Sequence, residues 1–172
     1  DMGWGKPFGD SGFDYAAEVA TDENNNVYAV SRFAGSIDLD PDATYADNRD
    51  LASVPLTGYG LAITKFDSAG NLLWSQVAKG QDGSEPGAQN AIPADVQVAA
   101  GGVYVTGNFY DLWDFDPDDA TTNSTVHQIG SGLGSFLLRL DATSGDFEWV
   151  KGFGLTETGK LDDDSLAVDP LG

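Results

Sequence analysis

The sequence predicts an all-β chain built of repeated, blade-like units of four antiparallel strands. Three observations predict it. The 172 residues hold 22 Gly, 19 aromatics and a single Met, a composition rich in turns and poor in helix formers. Among the 28 acidic residues, 23 are Asp and only 5 are Glu, and Asp belongs in turns, caps and hard-cation sites. Landmarks also recur along the chain at a spacing near 75 residues, the mark of a repeat architecture.

The repeat is read from residues in order. Asn26-Val27-Tyr28-Ala29-Val30 leads to Phe33, and Gly102-Val103-Tyr104-Val105-Thr106 leads to Phe109, at an offset of 76. Asp38-Leu39-Asp40-Pro41-Asp42 and Asp114-Phe115-Asp116-Pro117-Asp118 keep that offset. Lys65-Phe66-Asp67 runs through Gly70 to Trp74, and Arg139-Leu140-Asp141 runs through Gly145 to Trp149, with the offset drifting to 74 and 75. The ends join the pattern. Trp4-Gly5-Lys6-Pro7-Phe8-Gly9 matches Trp149-Val150-Lys151-Gly152-Phe153-Gly154, and Ala20-Thr21-Asp22 matches Ala167-Val168-Asp169.

The whole chain, 1–172, therefore reads as one β-repeat array. Residues 1–14 are the tail of a partial blade. Repeat one covers about 15–79, with strands expected over 16–21, 27–33, 60–66 and 72–78. Repeat two covers about 80–152, with strands over 94–99, 103–109, 135–140 and 147–152, and 153–172 begins a third. Turns fall at Asp22-Glu23-Asn24-Asn25-Asn26, Asp67-Ser68-Ala69-Gly70-Asn71 and Asp141-Ala142-Thr143-Ser144-Gly145. Asp, Asn and Gly suit them through side-chain bonds to nearby backbone and tolerance of positive φ. Between the second and third strands of each unit lies a long polar excursion, 41–58 and 117–134.

Four strands per unit, strung in series, point to β-propeller-like blades, about two full ones with partial blades at both ends. A two-sheet sandwich is the other architecture this pattern allows. Two blades alone leave strand edges and apolar faces uncovered, so other copies of the chain, or the rest of a longer propeller, are the expected partners.

The order Asp-Ser-Ala-Gly-Asn, Trp, Asn-Val-Tyr, Asp-Leu-Asp-Pro resembles the bacterial SBBP-type β-propeller repeat of secreted and cell-surface proteins. The resemblance covers nearly the whole chain and implies a fold and an extracellular location, not a reaction. In that family Gly often follows Asp-x-Asp-Pro; here Asp42 and Asp118 stand there.

The sharpest chemical constellation is the acidic triplet Asp38, Asp40 and Asp42 and its repeat Asp114, Asp116 and Asp118. Calcium takes six to eight oxygens, and loops with Asp at alternate positions supply them, so Ca2+ is the expected ion. The match to an EF-hand loop is partial, with no Gly at the sixth position and no Glu at the twelfth. A second reading explains the alternation equally well. The Asp residues face solvent while Ile37, Leu39, Trp113 and Phe115 face the core.

Trp4, Trp74 and Trp149 occupy equivalent repeat positions and are read as core. Trp113, beside Asp111 and Asp114 at a loop mouth, is the candidate ligand-contact residue, for a glycan or a surface protein. His127 reads as a surface-loop histidine with no Ser/His/Asp arrangement around it. Asn123-Ser124-Thr125 matches the glycosylation sequon, and in a bacterial protein that match is read as coincidence. The stretch Gly130-Ser131-Gly132-Leu133-Gly134 precedes a strand rather than a helix, so a phosphate loop is excluded.

The formal charge of −20 argues against nucleic acid or an anionic membrane as partner, and no stretch is apolar enough to span a bilayer. With no Cys, thiolate chemistry is excluded. Without an initiating Met or a signal peptide, the chain from Asp1 is expected to be processed or excised. The expected function is a non-enzymatic extracellular structural or adhesive module, stabilised by calcium. The alternative is a carbohydrate-active hydrolase or glycan-binding propeller that uses carboxylates and Trp at a loop face.

Overall fold

The computed structural model of the chain describes residues 3–5, 14–39, 51–53, 59–80, 91–116, 126–154 and 166–169. Among them there are strands and turns and no helix. Repeat one contributes β1 (Tyr15–Thr21), β2 (Val27–Ala34), β3 (Ser36–Asp38), β4 (Leu51–Ser53), β5 (Tyr59–Phe66) and β6 (Leu72–Gly80). Repeat two contributes β7 (Ala91–Ala99), β8 (Gly102–Asp114), β9 (Val126–Asp141) and β10 (Phe147–Gly154). All eight strands read from the sequence are present; six lie within three residues of their expected bounds, while β8 runs on to Asp114 past the expected 109 and β9 begins at Val126, well before the expected 135.

All the strand pairs are antiparallel, and the two repeats are built by one plan. In repeat one the order is β1-β2-β5-β6; in repeat two β7, β8, β9 and β10 pair in the same succession. The registers agree residue by residue. Tyr28 pairs with Lys65, which pairs with Trp74. At the equivalent places Tyr104 pairs with Arg139, which pairs with Trp149. Irregularities recur too: the first strand of each repeat has a register shift at Ala16/Glu18 or Pro93/Asp95. A β-bulge is a local feature that re-aims a strand, so its repetition is a further sign of one template.

The excursions 41–58 and 117–134 are not free of strand, as the sequence suggests. Residues 51–53 pair with 36–38, and residues 126–128 pair with 112–114 in the same register: Ile37 with Ala52, Trp113 with His127. Backbone N–H and C=O groups of these residues find their partners across each pair. His127 and the Gly130–Gly134 stretch therefore lie within β9 and not in a loop.

Turn chemistry follows the residues. Asp22 Oδ1 accepts from the N–H groups of Asn24 and Asn26, and Asp67 Oδ1 accepts from those of Ala69 and Asn71. In both loops the fourth residue, Asn25 or Gly70, has positive φ, as a three-residue hairpin loop requires. Between β7 and β8 the loop shortens to Ala100-Gly101, both at positive φ, a two-residue hairpin turn. That one-residue difference takes the offset from 77, at Ala16/Glu18 against Pro93/Asp95, to 76 at Val27 against Val103.

The repeats share a core. Tyr28, Val30, Leu61 and Ile63 of repeat one form a single cluster with Val96, Val103, Val105, Phe109, Phe136 and Leu138 of repeat two. The first strand of repeat two, β7, lies against β1 and β2, and the short pairing of Lys79 with Asp114 and Gly80 with Trp113 joins the two meanders into one sheet.

Candidate functional site

The best-defined polar site lies where the repeats meet. It begins with a cross-strand row on one face of repeat one, Tyr28, Lys65 and Trp74, set side by side by the β2–β5–β6 register. The Lys65 ammonium lies 5.1 Å from the centroid of the Tyr28 ring, and the Tyr28 and Trp74 rings meet edge to face at 5.9 Å. All three side chains carry a donor at the tip. Their N–H and O–H groups converge on one carbonyl oxygen of repeat two, that of Ala142.

Lys65 Nζ donates to Ala142 O at 2.7 Å and Trp74 Nε1 at 3.3 Å, while the Tyr28 hydroxyl shares its one proton between Asp22 Oδ2 at 3.1 Å and Ala142 O at 3.3 Å. A carbonyl has two lone pairs, so the ammonium makes the strong, charge-assisted bond and the two longer ones share what remains. Lys65 is 92 % removed from solvent (8 % exposed), so this bond satisfies a cation that water scarcely reaches.

The acceptor is held in place by its own turn. Asp141 Oδ1 accepts from the N–H groups of Thr143 and Ser144, and Ala142 N–H donates to Gly101 O at 2.8 Å. Gly145 closes the turn at φ 82°, and the Trp74 indole lies directly on it: a Cβ there would stand 2.7 Å from the ring. Only glycine admits both the left-handed backbone and the flat ring.

The same contact occurs one repeat earlier. Trp4 Nε1 donates to Ser68 O at 3.2 Å, and a Cβ on Gly70, at φ 88°, would stand 2.8 Å from the Trp4 ring. Ser68 and Ala142 each follow the Asp that opens the turn. The contact is a latch in which an indole covers a glycine of the next repeat and binds the carbonyl two residues before it or three.

Electrostatics tune the latch. The Asn71 side chain and backbone, with smaller help from Ala69 and Gly70, hold the Asp67 carboxyl below its ordinary value. The Ser144 and Thr143 N–H groups do the same for Asp141. At Asp22, burial pushes upward, but hydrogen bonds from Asn26, Asn24 and Tyr28 together outweigh it and lower the value. Burial, the Asp22 acceptor and the nearby Asp141 charge push the Tyr28 hydroxyl well up. At neutral pH the turn aspartates are anions and Tyr28 is a donor.

The expected site residues fall out as follows. Asp40, Asp42 and Asp118 lie outside the described residues. Asp38, Asp114 and Asp116 are partly exposed, and Asp114 Oδ1 accepts from the Asp116 N–H at 3.1 Å. Ile37, Leu39, Trp113 and Phe115 are all buried beside them. Among the described residues no three His, Cys, Asp or Glu side chains come together as a metal group.

Trp113 is not at an exposed loop mouth. It is fully buried, its ring 6.1 Å from that of Phe115, because Asp111 to Asp114 continues β8 instead of leaving it. Its Nε1 has no acceptor among the described residues.

Nor are the three repeat-equivalent tryptophans simple core. Trp4 is 38 % exposed, and Trp74 and Trp149 are half-buried at the edge of the core. Tyr28, Lys65, Ala142 and Gly145 stand in the sequence pattern as repeat landmarks and turn residues, with no sign there that they meet. Their signal was present in the repeat itself, since an aromatic, a cation and a Trp recur at matching register in both units.

Comparison with known proteins finds no matching family model, no similar curated protein and no similar solved structure.

Proposed function

We propose that the chain is a non-enzymatic extracellular or cell-surface module, a run of propeller-type blades that serves structure or adhesion. One observation carries this reading. The indole-on-glycine contact recurs from repeat to repeat, as Trp4 on Gly70 and Trp74 on Gly145. A unit that latches the next through identical parts is suited to building an array. The resemblance to SBBP-type repeats supports the same fold and location, and the charge of −20 suits a solvated surface protein.

Calcium belongs to this proposal as a stabiliser. Asp38, Asp40 and Asp42, and Asp114, Asp116 and Asp118, would supply carboxylate oxygens at equivalent places in the two repeats. The partners are further blades, from other copies or from a longer chain, and glycans or surface proteins at the outer face.

The test is a panel of chromogenic glycosides together with glycan-coated beads. The proposal expects no turnover. Turnover that one Asp→Asn substitution abolishes would overturn it in favour of a hydrolase.

A further inference from the structure

Resting on the reading of the repeats as blades in series, we infer that Tyr104, Arg139 and Trp149 form a docking face for the Asp-x-x-Gly-type turn of a further repeat of the same kind. The face is a copy of the one already in use. Tyr28, Lys65 and Trp74 sit in one cross-strand row, and Tyr104, Arg139 and Trp149 sit in the equivalent row of repeat two. The ring geometry is retained, with Tyr104 and Trp149 edge to face at 6.3 Å against 5.9 Å for Tyr28 and Trp74. So is the cation over the tyrosine, the Arg139 guanidinium standing 5.4 Å from the Tyr104 centroid.

Two things differ. Lys65 and Trp74 donate to Ala142 O, with the Tyr28 hydroxyl at 3.3 Å from it, and Tyr28 also has Asp22 Oδ2 as an acceptor at 3.1 Å where repeat two has Ala99. Tyr104 accepts a bond from Arg139 Nε at 3.0 Å, while its own O–H and the Trp149 N–H have no acceptor among the described residues. Arg139, 21 % exposed, pairs with Glu148, itself on the same strand as Trp149. Tyr28 and Lys65 are buried; Tyr104 is buried too, at 9 % exposure, and the Arg139 side chain is the one only partly covered.

The chemistry of the missing piece is set by these groups. Two donors without an acceptor among the described residues call for a carbonyl oxygen, and a flat indole edge calls for a residue without a Cβ. The turns Asp67–Asn71 and Asp141–Gly145 supply both, a carbonyl and a glycine at positive φ. A further repeat would also find its place marked. Residues 166–169, which match residues 19–22, lie beside β7, with Leu166 N–H donating to Asp95 Oδ2 at 3.0 Å, as β7 itself lies beside β1.

The test extends the full chain. Asp169 to Gly172 align with residues 22–25, so a copy of residues 26–80 is appended after Gly172 to complete a third repeat. Indole N–H exchange is followed by nitrogen-15 NMR in the parent and extended chains. In the parent, Trp74 should exchange slowly and Trp149 fast. In the extended chain Trp149 should slow at least tenfold, to the range of Trp74, and Gly→Val at the appended copy of Gly70 should restore fast exchange.

Trp149 remaining fast in the extended chain would overturn the inference. So would an appended repeat that stays unfolded, because a docking face must template its partner, and so would protection that survives the Gly→Val change. Glycoside turnover by the parent would overturn the functional reading alone and leave this docking result standing.

Discussion

Trp74 and Gly145 are fitted to one another across the junction between the repeats: a Cβ on Gly145 would lie 2.7 Å from Cδ2 of the indole, inside van der Waals contact. The pair therefore depends on a residue with no side chain, in a backbone conformation that L residues rarely adopt. Trp74 binds the same turn a second time, through its N–H to Ala142 O.

Gly145→Val should destabilise the chain by about 1–3 kcal/mol through the clash and the strained φ. Trp74→Ala should cost about 2–4 kcal/mol, since a large half-buried ring is lost. The two should not add. With the indole gone the added side chain has room, so the double variant should be less destabilised than the sum, as chemical unfolding of all four chains will show.

The two equivalent tryptophans should differ in weight. Trp74 bridges two repeats, whereas Trp149 bridges none among the described residues. Trp149→Ala should therefore cost less than Trp74→Ala, by about 1 kcal/mol or more, in the same unfolding experiment. Equal costs would mean that the bridge contributes nothing beyond local packing.

Lys65→Met tests the buried cation. The substitution keeps the apolar stem and removes the 2.7 Å bond, leaving Ala142 O two longer donors. A loss of about 1–2 kcal/mol is expected, because a bond from a charged donor is removed; Tyr28→Phe should cost a similar amount, since its hydroxyl also donates to the Asp22 carboxylate.

Acid should weaken the turns. The Asp67 and Asp141 carboxyls are held below their ordinary 3.8 by hydrogen bonds that exist only in the folded chain. A lowered folded value stabilises above the unfolded value and is lost as pH falls through the folded one. Stability should thus be flat near neutrality and decline below about pH 4. Asp67→Asn should be less stable than the parent at neutral pH, and the gap should close in acid. A gap independent of pH would show that the charge plays no part.

Added calcium should raise the thermal midpoint if the proposed aspartate triplets bind it in the folded chain alone, by mass action. Asp38→Asn with Asp114→Asn should reduce the shift. An unchanged midpoint from micromolar to millimolar calcium would remove calcium from the account.

Much of the fold was legible because it is written twice. Period-two alternation and Asp/Gly turns place eight strands, and the matching of Lys65-Phe66-Asp67 with Arg139-Leu140-Asp141 fixes their equivalence. The outer pairings of residues 36–38 with 51–53 and 112–114 with 126–128 were hidden, since such short strands carry too few residues to show a period. The burial of Trp113 was one of two readings, since its alternation with the Asp residues also allows it to face the core with Phe115, and it does. The latch was half legible. The sequence marks Trp74 and Gly145 as repeat landmarks, but their contact crosses between repeats, and spacing within a repeat says nothing of which turn an indole will meet.

The central claim is that successive repeats are joined by an indole laid on a turn glycine. Proton NMR tests it most directly, because an aromatic ring shifts protons beneath its face upfield. The Hα protons of Gly145 should be shifted upfield and show nuclear Overhauser contacts to the Trp74 ring, and those of Gly70 should show the same to Trp4. Loss of the Gly145 shift in Trp74→Ala, with Gly70 unaffected, is the predicted result. Ordinary chemical shifts for both glycines, with no contacts to either indole, would contradict it.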